Sequence, residues 1–363
     1  MKNLIKLFSI LCAAGLILVS CEGPAGPVGP AGTNGTDGTN GINGQDANEN
    51  CIQCHNNDAV IETKLAQWEN SVHATGGNAG YCNRDGCLQC HVSQGFLQAV
   101  ATGSTSNLDV PDEPQQQNCY TCHKIHTTYT AADWALTKPG AETMLEQHGG
   151  ADVTYDLGTS NQCVACHQAW ALDPAPVKDG PDFEITSTHW GVHHGPQANM
   201  LLGTFQYEVE GTAFPTSNPH AAGDGCVNCH MATPYGYVAG GHSWTMTYDV
   251  HGTETLLTTG CLVSGCHSSS TTLNTLLTSL HTAIEGKMDS LATMLDEAGL
   301  WDLAAGSPIA GTFGANEVLN FLTFNTVEED RSEGVHNPEY IKTLLDNSIA
   351  SMIALGYTPP TKK

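Results

Sequence analysis

Cations are scarce in this chain. Lys and Arg total 12 against 37 Asp and Glu over 363 residues, a formal net charge of −25 at pH 7. Only Arg84 and Arg331 carry guanidinium groups. Nucleic-acid binding needs a basic face, so that role is excluded, and a field of this sign repels small anions while steering basic partners inward. Aromatic residues are also few, at 7%, whereas Gly alone numbers 39. Side chains therefore supply a thin apolar core for a chain of this length. Long hydrophobic runs are missing too. The one run of note, Leu7 to Val19, falls short of the ~20 residues that a spanning helix needs.

Cysteine, by contrast, is abundant, with 15 residues, and most of it repeats one pattern. CIQCH stands at 51–55, CLQCH at 87–91, CYTCH at 119–123, CVACH at 163–167 and CVNCH at 226–230, with a stretched CLVSGCH at 261–267. Each copy ends in His directly after the second Cys. Covalent haem attachment requires this arrangement: two thiols add across the porphyrin vinyl groups and the adjoining imidazole reaches the iron. A zinc site would ask for four tetrahedral ligands without fixing the His against the second Cys. A thioredoxin-like dithiol would want a βαβ context, which is missing. The pattern assigns Cys51, Cys54, Cys87, Cys90, Cys119, Cys122, Cys163, Cys166, Cys226, Cys229, Cys261 and Cys266 to six haem c groups. It assigns His55, His91, His123, His167, His230 and His267 as proximal iron ligands. CLVSGCH fits with a longer loop between its thiols.

Two lysines, an apolar run and the stretch LVSC open the chain as a lipoprotein signal peptide over 1–20, with Cys21 as the lipidated residue. Export agrees with haem attachment, which takes place outside the cytoplasm. Losing Lys2 and Lys6 with the signal peptide would take the net charge to −27. Cys12 leaves with that peptide, and only Cys82 is then unassigned; a lone thiol there reads as a buried inert Cys or an intermolecular bridge. Residues 21–49 hold the lipidated Cys and a strict G-X-Y linker, with Gly at every third position from 23 to 44. Prolines occupy only its first triplets, so an extended tether is expected rather than a triple helix, spanning roughly 75 Å in a polyproline-like form.

The haem region is expected over 50–267. Successive proximal histidines are 36, 32, 44, 63 and 37 residues apart, intervals too short for separate domains of about 100 residues. One body must house all six groups, with haem replacing missing side-chain core, short helices at the motifs and little sheet. A helical C-terminal region, 268–363, is expected to pack on it. Leu273, Leu277, Leu280, Ile284, Met288, Leu291 and Leu295 recur at three and four, predicting a helix of about seven turns. Asn337 and Pro338 mark the N-terminus of a second, carrying Ile341, Leu344, Leu345, Ile349 and Met352.

Over about 50–345 the chain resembles the multihaem c-type cytochromes, the group that includes the pentahaem nitrite reductases and related electron carriers. The motif series carries the resemblance, with weaker support from PHAAGDGCVNCHM at 219–231, GHSW at 241–244 and GVHNPEY at 334–340. It implies a mainly α fold with much irregular loop, built around closely packed haems, in which a second His distant in sequence completes each iron site. Eleven non-proximal histidines are available. His73, His148, His220 and His242 are the leading distal candidates, followed by His189, His281, His336 and His126; the others read as surface or hydrogen-bonding histidines.

The reductases of that group replace one proximal His by Lys, and no CxxCK occurs here. The expected role is therefore an electron carrier rather than an enzyme, an outer-membrane lipoprotein facing the periplasm or the cell surface. Its expected partners are basic cytochromes or reductases, with self-association left open. Two alternatives remain: a reductase of a small nitrogen, sulfur or metal species at one open haem, and an adhesive protein working through its collagen-like segment. His220 bears on the first, because a His just upstream of a CxxCHM motif can serve the active site in the resembling enzymes.

Overall fold

The structure, a computed structural model, describes His55 and residues 59–360. The expected signal peptide, Cys21 and its linker, and Cys51 and Cys54 of the first motif lie outside the described residues.

The motif-bearing part is a succession of short helices and loops. Helix α1 spans Ala59–Glu69 and α2 spans Ser93–Thr102. Single helical turns occupy the motifs themselves, at Leu88–His91, Cys119–Cys122, Asn161–Val164 and Cys226–His230. Sheet is confined, among the described residues, to two-stranded antiparallel ribbons. Strands β1 (Glu142–His148) and β2 (Ala151–Tyr155) form a hairpin whose tip, Gly149 and Gly150, has positive φ at both positions, as two-residue hairpin turns require. A second ribbon pairs Phe183–Ile185 with Gly311–Phe313 and fastens the middle of the chain to its C-terminal part.

Three long helices follow the last motif. Helix α3 runs Ser270–Glu297, with the Ser269 hydroxyl accepting from the Thr272 N–H at its start and Gly299 in the left-handed region just past its end. Helix α4 spans Ala315–Asp330 and α5 spans Pro338–Leu355, the latter stopped by Gly356 at φ +105°. Pro338 takes the first helical position, but the Asn337 side chain makes no capping bond. Its amide donates to the Leu201 carbonyl instead.

These helices bury a conventional core. Leu291, Met294 and Leu295 of α3 meet Val318, Phe321 and Leu322 of α4 and Ile341, Leu344 and Leu345 of α5, with Met200, Phe205 and Trp301 closing the cluster. Beyond Ile185, Val192, Met200, Phe205 and Tyr207, which join that cluster, the motif region holds only small satellites, Met144, Tyr155, Val164, Ala198 and Leu201 in one and Ala79, Leu88, Val92 and Leu108 in another. The thin core expected of the whole chain is thus a property of the motif region alone. The C-terminal helices pack as an ordinary protein does.

Candidate haem sites

One helical turn explains the motifs at 87–91, 119–123, 163–167 and 226–230. Residues i, i+3 and i+4 share a helix face, so Cys, Cys and His of CxxCH point the same way. The turn closes through backbone bonds from His91 to Cys87 (3.1 Å), His123 to Cys119 (2.9 Å) and His167 to Cys163 (2.9 Å). In the stretched motif the His267 N–H reaches back to the Cys261 carbonyl at 3.1 Å, and Gly265 at φ +89° makes that wider loop feasible. None of the motif cysteines among the described residues is in a disulfide.

Each of the six proximal imidazoles faces a second imidazole from elsewhere in the chain. Ring centroids are 6.2 Å apart for His55 and His126, 5.8 Å for His91 and His193, and 6.3 Å for His123 and His242. They are 6.1 Å apart for His167 and His73, 6.3 Å for His230 and His336, and 6.4 Å for His267 and His220. With metal–nitrogen bonds of about 2 Å, and a ring centroid about 1 Å behind each nitrogen, two imidazoles across one metal ion put their centroids roughly 6 Å apart. The spacing therefore fits one iron between each pair. Among the described residues no three His, Cys, Asp or Glu side chains converge as a metal cluster; a porphyrin brings its own four nitrogens and asks the protein for two.

The paired histidines, with the described motif cysteines, line one connected cavity of about 2640 Å³. Motifs meet across it. Cys90 lies against Cys166, Cys163 lies against Cys226, and Cys122 is near both Cys163 and Cys166. Cys229 in turn neighbours Cys261 and Cys266. The 163–167 motif is thus a junction, against the motifs at 87–91 and 226–230 and near that at 119–123, with 261–267 beyond the last.

Burial holds many of these rings neutral, the form that ligates a metal. It pushes His73 down to about 4, helped by His167, and His242 down to about 4, helped by the Lys64 ammonium and His123. Burial likewise lowers His91, His167, His193 and His230. The outer ring nitrogens are held as well. Nδ1–H donates to the Trp134 carbonyl from His123 (2.7 Å), to the Trp244 carbonyl from His230 (2.8 Å), to the Val335 carbonyl from His220 (2.7 Å) and to Gln197 Oε1 from His167 (3.2 Å). Such bonds fix ring orientation and tautomer.

GHSW and GVHNPEY each serve more than one pair. Gly240 and Gly241 have positive φ, and Gln67 of α1 packs so closely that a Cβ on Gly241 would meet its Oε1 at 2.5 Å. The same Oε1 accepts the His242 N–H at 3.0 Å. His242 is thereby set opposite His123, Trp244 stands edge-on to His73 at 4.7 Å, and its carbonyl holds His230. In GVHNPEY, His336 faces His230 while Val335 holds His220.

Of the distal candidates, the structure brings His73, His126, His220, His242 and His336 opposite proximal rings. It places three elsewhere. His148 lies 3.2 Å from Glu208 Oε2, His281 lies 2.9 Å from Glu333 Oε2, and His189 is exposed. The remaining place, opposite His91, is taken by His193, which sequence reasoning left among the surface histidines. Its neighbour His194 pairs with Glu329 instead. Nothing in the doublet GVHHG distinguishes the two rings. Cys82 is buried.

No protein-family profile matches the chain, and no curated protein does. A solved structure that it resembles is the crystal structure of an outer cell wall cytochrome, OcwA, at 21% identity and a TM-score of 0.51. The match covers 80% of this chain and 50% of that one. The two share a fold, and this chain spans half the length of that cytochrome.

Proposed function

We propose that this chain is a multihaem c-type cytochrome that holds six haem c groups and relays electrons among them between partner redox proteins. The observation that carries this reading is the set of six imidazole pairs, each joining a motif histidine to a distant one at the spacing one iron needs. When bound, haem supplies reversible one-electron exchange at iron. The chain's own residues would do the rest: the motif cysteines would hold each ring, the paired imidazoles would ligate its iron, and adjoining motifs would bring the attachment points together. A reductase would need one proximal His with no imidazole across from it. His220 faces His267, which favours an axial role over service at an open site.

In this reading Cys21 anchors the protein in the outer membrane through lipid, the G-X-Y linker holds the body away from it, and the acidic charge draws basic partners. The kinship in fold with an outer cell wall cytochrome supports placement outside the cytoplasm. Intact-mass measurement of denatured protein from a host with haem-maturation machinery tests the central assignment. Six haem masses per chain are expected, with five for Cys261→Ser/Cys266→Ser. Five in the unsubstituted protein would remove the stretched motif from the set.

A further inference from the structure

The six pairs are not held alike. The Nδ1 of a paired imidazole meets a neutral carbonyl or amide oxygen at His123, His167, His220 and His230, and the Tyr120 hydroxyl at His126. His336 is different. Its Nδ1 lies 2.6 Å from Asp330 Oδ1, and that carboxylate is almost fully buried, with 1% of its side chain exposed. Three other histidines pair with carboxylates, His148, His194 and His281, but none of these faces a proximal ring.

Among the described residues no Lys or Arg pairs with Asp330. Arg331, next in the chain, points its guanidinium outward, 72% exposed and nearest Glu329. The second oxygen of Asp330 accepts from the Ser332 hydroxyl, whose oxygen also accepts the His336 N–H. Asp330 is the last residue of α4, where the helix dipole is negative. A carboxylate accepting Nδ1–H draws that proton toward itself and leaves the ring more basic and more electron-rich. An electron-rich axial ligand favours ferric over ferrous iron, and burial strengthens the effect because little solvent screens the charge.

We propose that Asp330 is a positioning residue which, through His336, makes the haem attached at Cys226 and Cys229 the lowest-potential centre of the six. The inference rests on the six-haem reading above. It also gives that centre a role, because its motif lies between the junction motif at 163–167 and the final motif at 261–267. A site that is reduced last sets an uphill step on this branch, so electrons reach the His267 end more slowly than they spread among the other motifs.

Potentiometric titration of the holoprotein, followed by visible absorbance, tests this. His336→Met marks the component belonging to this haem, since a thioether ligand raises its midpoint. Asp330→Asn keeps an acceptor oxygen and removes the charge. It should raise the same component until the oxidised-to-reduced ratio at a fixed potential falls at least tenfold, a shift of about 59 mV for one electron. The other five should stay in place. Ser332→Ala strips the carboxylate of its hydroxyl donor and should lower that component, which decides the matter if Asp330→Asn yields no holoprotein. An unmoved component in Asp330→Asn, or an unmoved or raised one in Ser332→Ala, overturns the proposal. Failure of the underlying reading shows separately, as fewer than six haems per unsubstituted chain.

Discussion

Burial decides which ionisable groups in this molecule stay neutral, and Glu146 is the clearest case outside the imidazole pairs. Its side chain is fully buried on β1; Asn199 donates to Oε2 at 3.3 Å, and Oε1 has no partner among the described residues. Burial pushes its carboxyl up to about 8 from an ordinary 4.5. The folded state then holds a proton that the unfolded state has released, so between about pH 4.5 and pH 8 stability falls as pH rises. Glu146→Gln keeps the shape and the polar group without the charge. Its stability advantage over the parent protein should be near zero at pH 4 and grow through that window, to at most roughly 5 kcal/mol at pH 9. Denaturant unfolding of both proteins at pH 4, 7 and 9 measures it; a pH-independent difference would mean that Glu146 is ionised in the fold. At the same scale, His73 and His242 at about 4 remain neutral across the neutral range, ready to ligate without first losing a proton.

The elements divide into two kinds by what they bury. Helices α3, α4 and α5 share one large side-chain core, whereas the motif turns line a cavity. Protein made without haem-maturation machinery should therefore keep a protease-resistant fragment covering the three C-terminal helices while the motif region is digested. Limited proteolysis with mass mapping checks this, and uniform digestion of the whole chain would show that the helices also depend on haem. Leu344 sits in the middle of that core, and Leu344→Ala should cost about 2–5 kcal/mol by leaving a cavity. Both α3 and α5 are legible in the sequence, because Leu273 to Leu295 and Ile341 to Met352 mark one apolar face each. Helix α4 is not. It is buried on nearly every side, and polar Asn320, Thr323, Asn325 and Thr326 stand among its inward positions, so no stripe forms. Two of those groups find partners far along the chain, Asn320 with Ser348 and Ser351 and Asn325 with the Val192 N–H. The motif turns are equally legible, since their ligands are local. The second histidines are not, because the segments that carry His193 to His91 or His73 to His167 are placed by contacts far along the chain. GHSW illustrates the point: its turn depends on Gln67, 175 residues before His242.

At the scale of the whole molecule, charge and connectivity govern traffic. A formal −25 should speed encounter with a basic redox partner at ~0.01 M salt and lose most of that benefit near ~0.15 M, as the Debye length shrinks from about 30 Å to about 8 Å. Stopped-flow reoxidation by a basic and an acidic cytochrome would show this as opposite salt dependences; flat responses with both would leave the charge as a solubility device. Inside the molecule, the motif at 163–167 meets those at 87–91 and 226–230, so in the proposed reading the relay would branch there rather than run in line. The account stands or falls on every iron having two imidazoles. Electron paramagnetic resonance of the fully oxidised holoprotein reads that directly: only low-spin ferric signals, integrating to six per chain, are expected. A high-spin signal at one spin per chain would contradict the account, because it would mean that one haem keeps an open face.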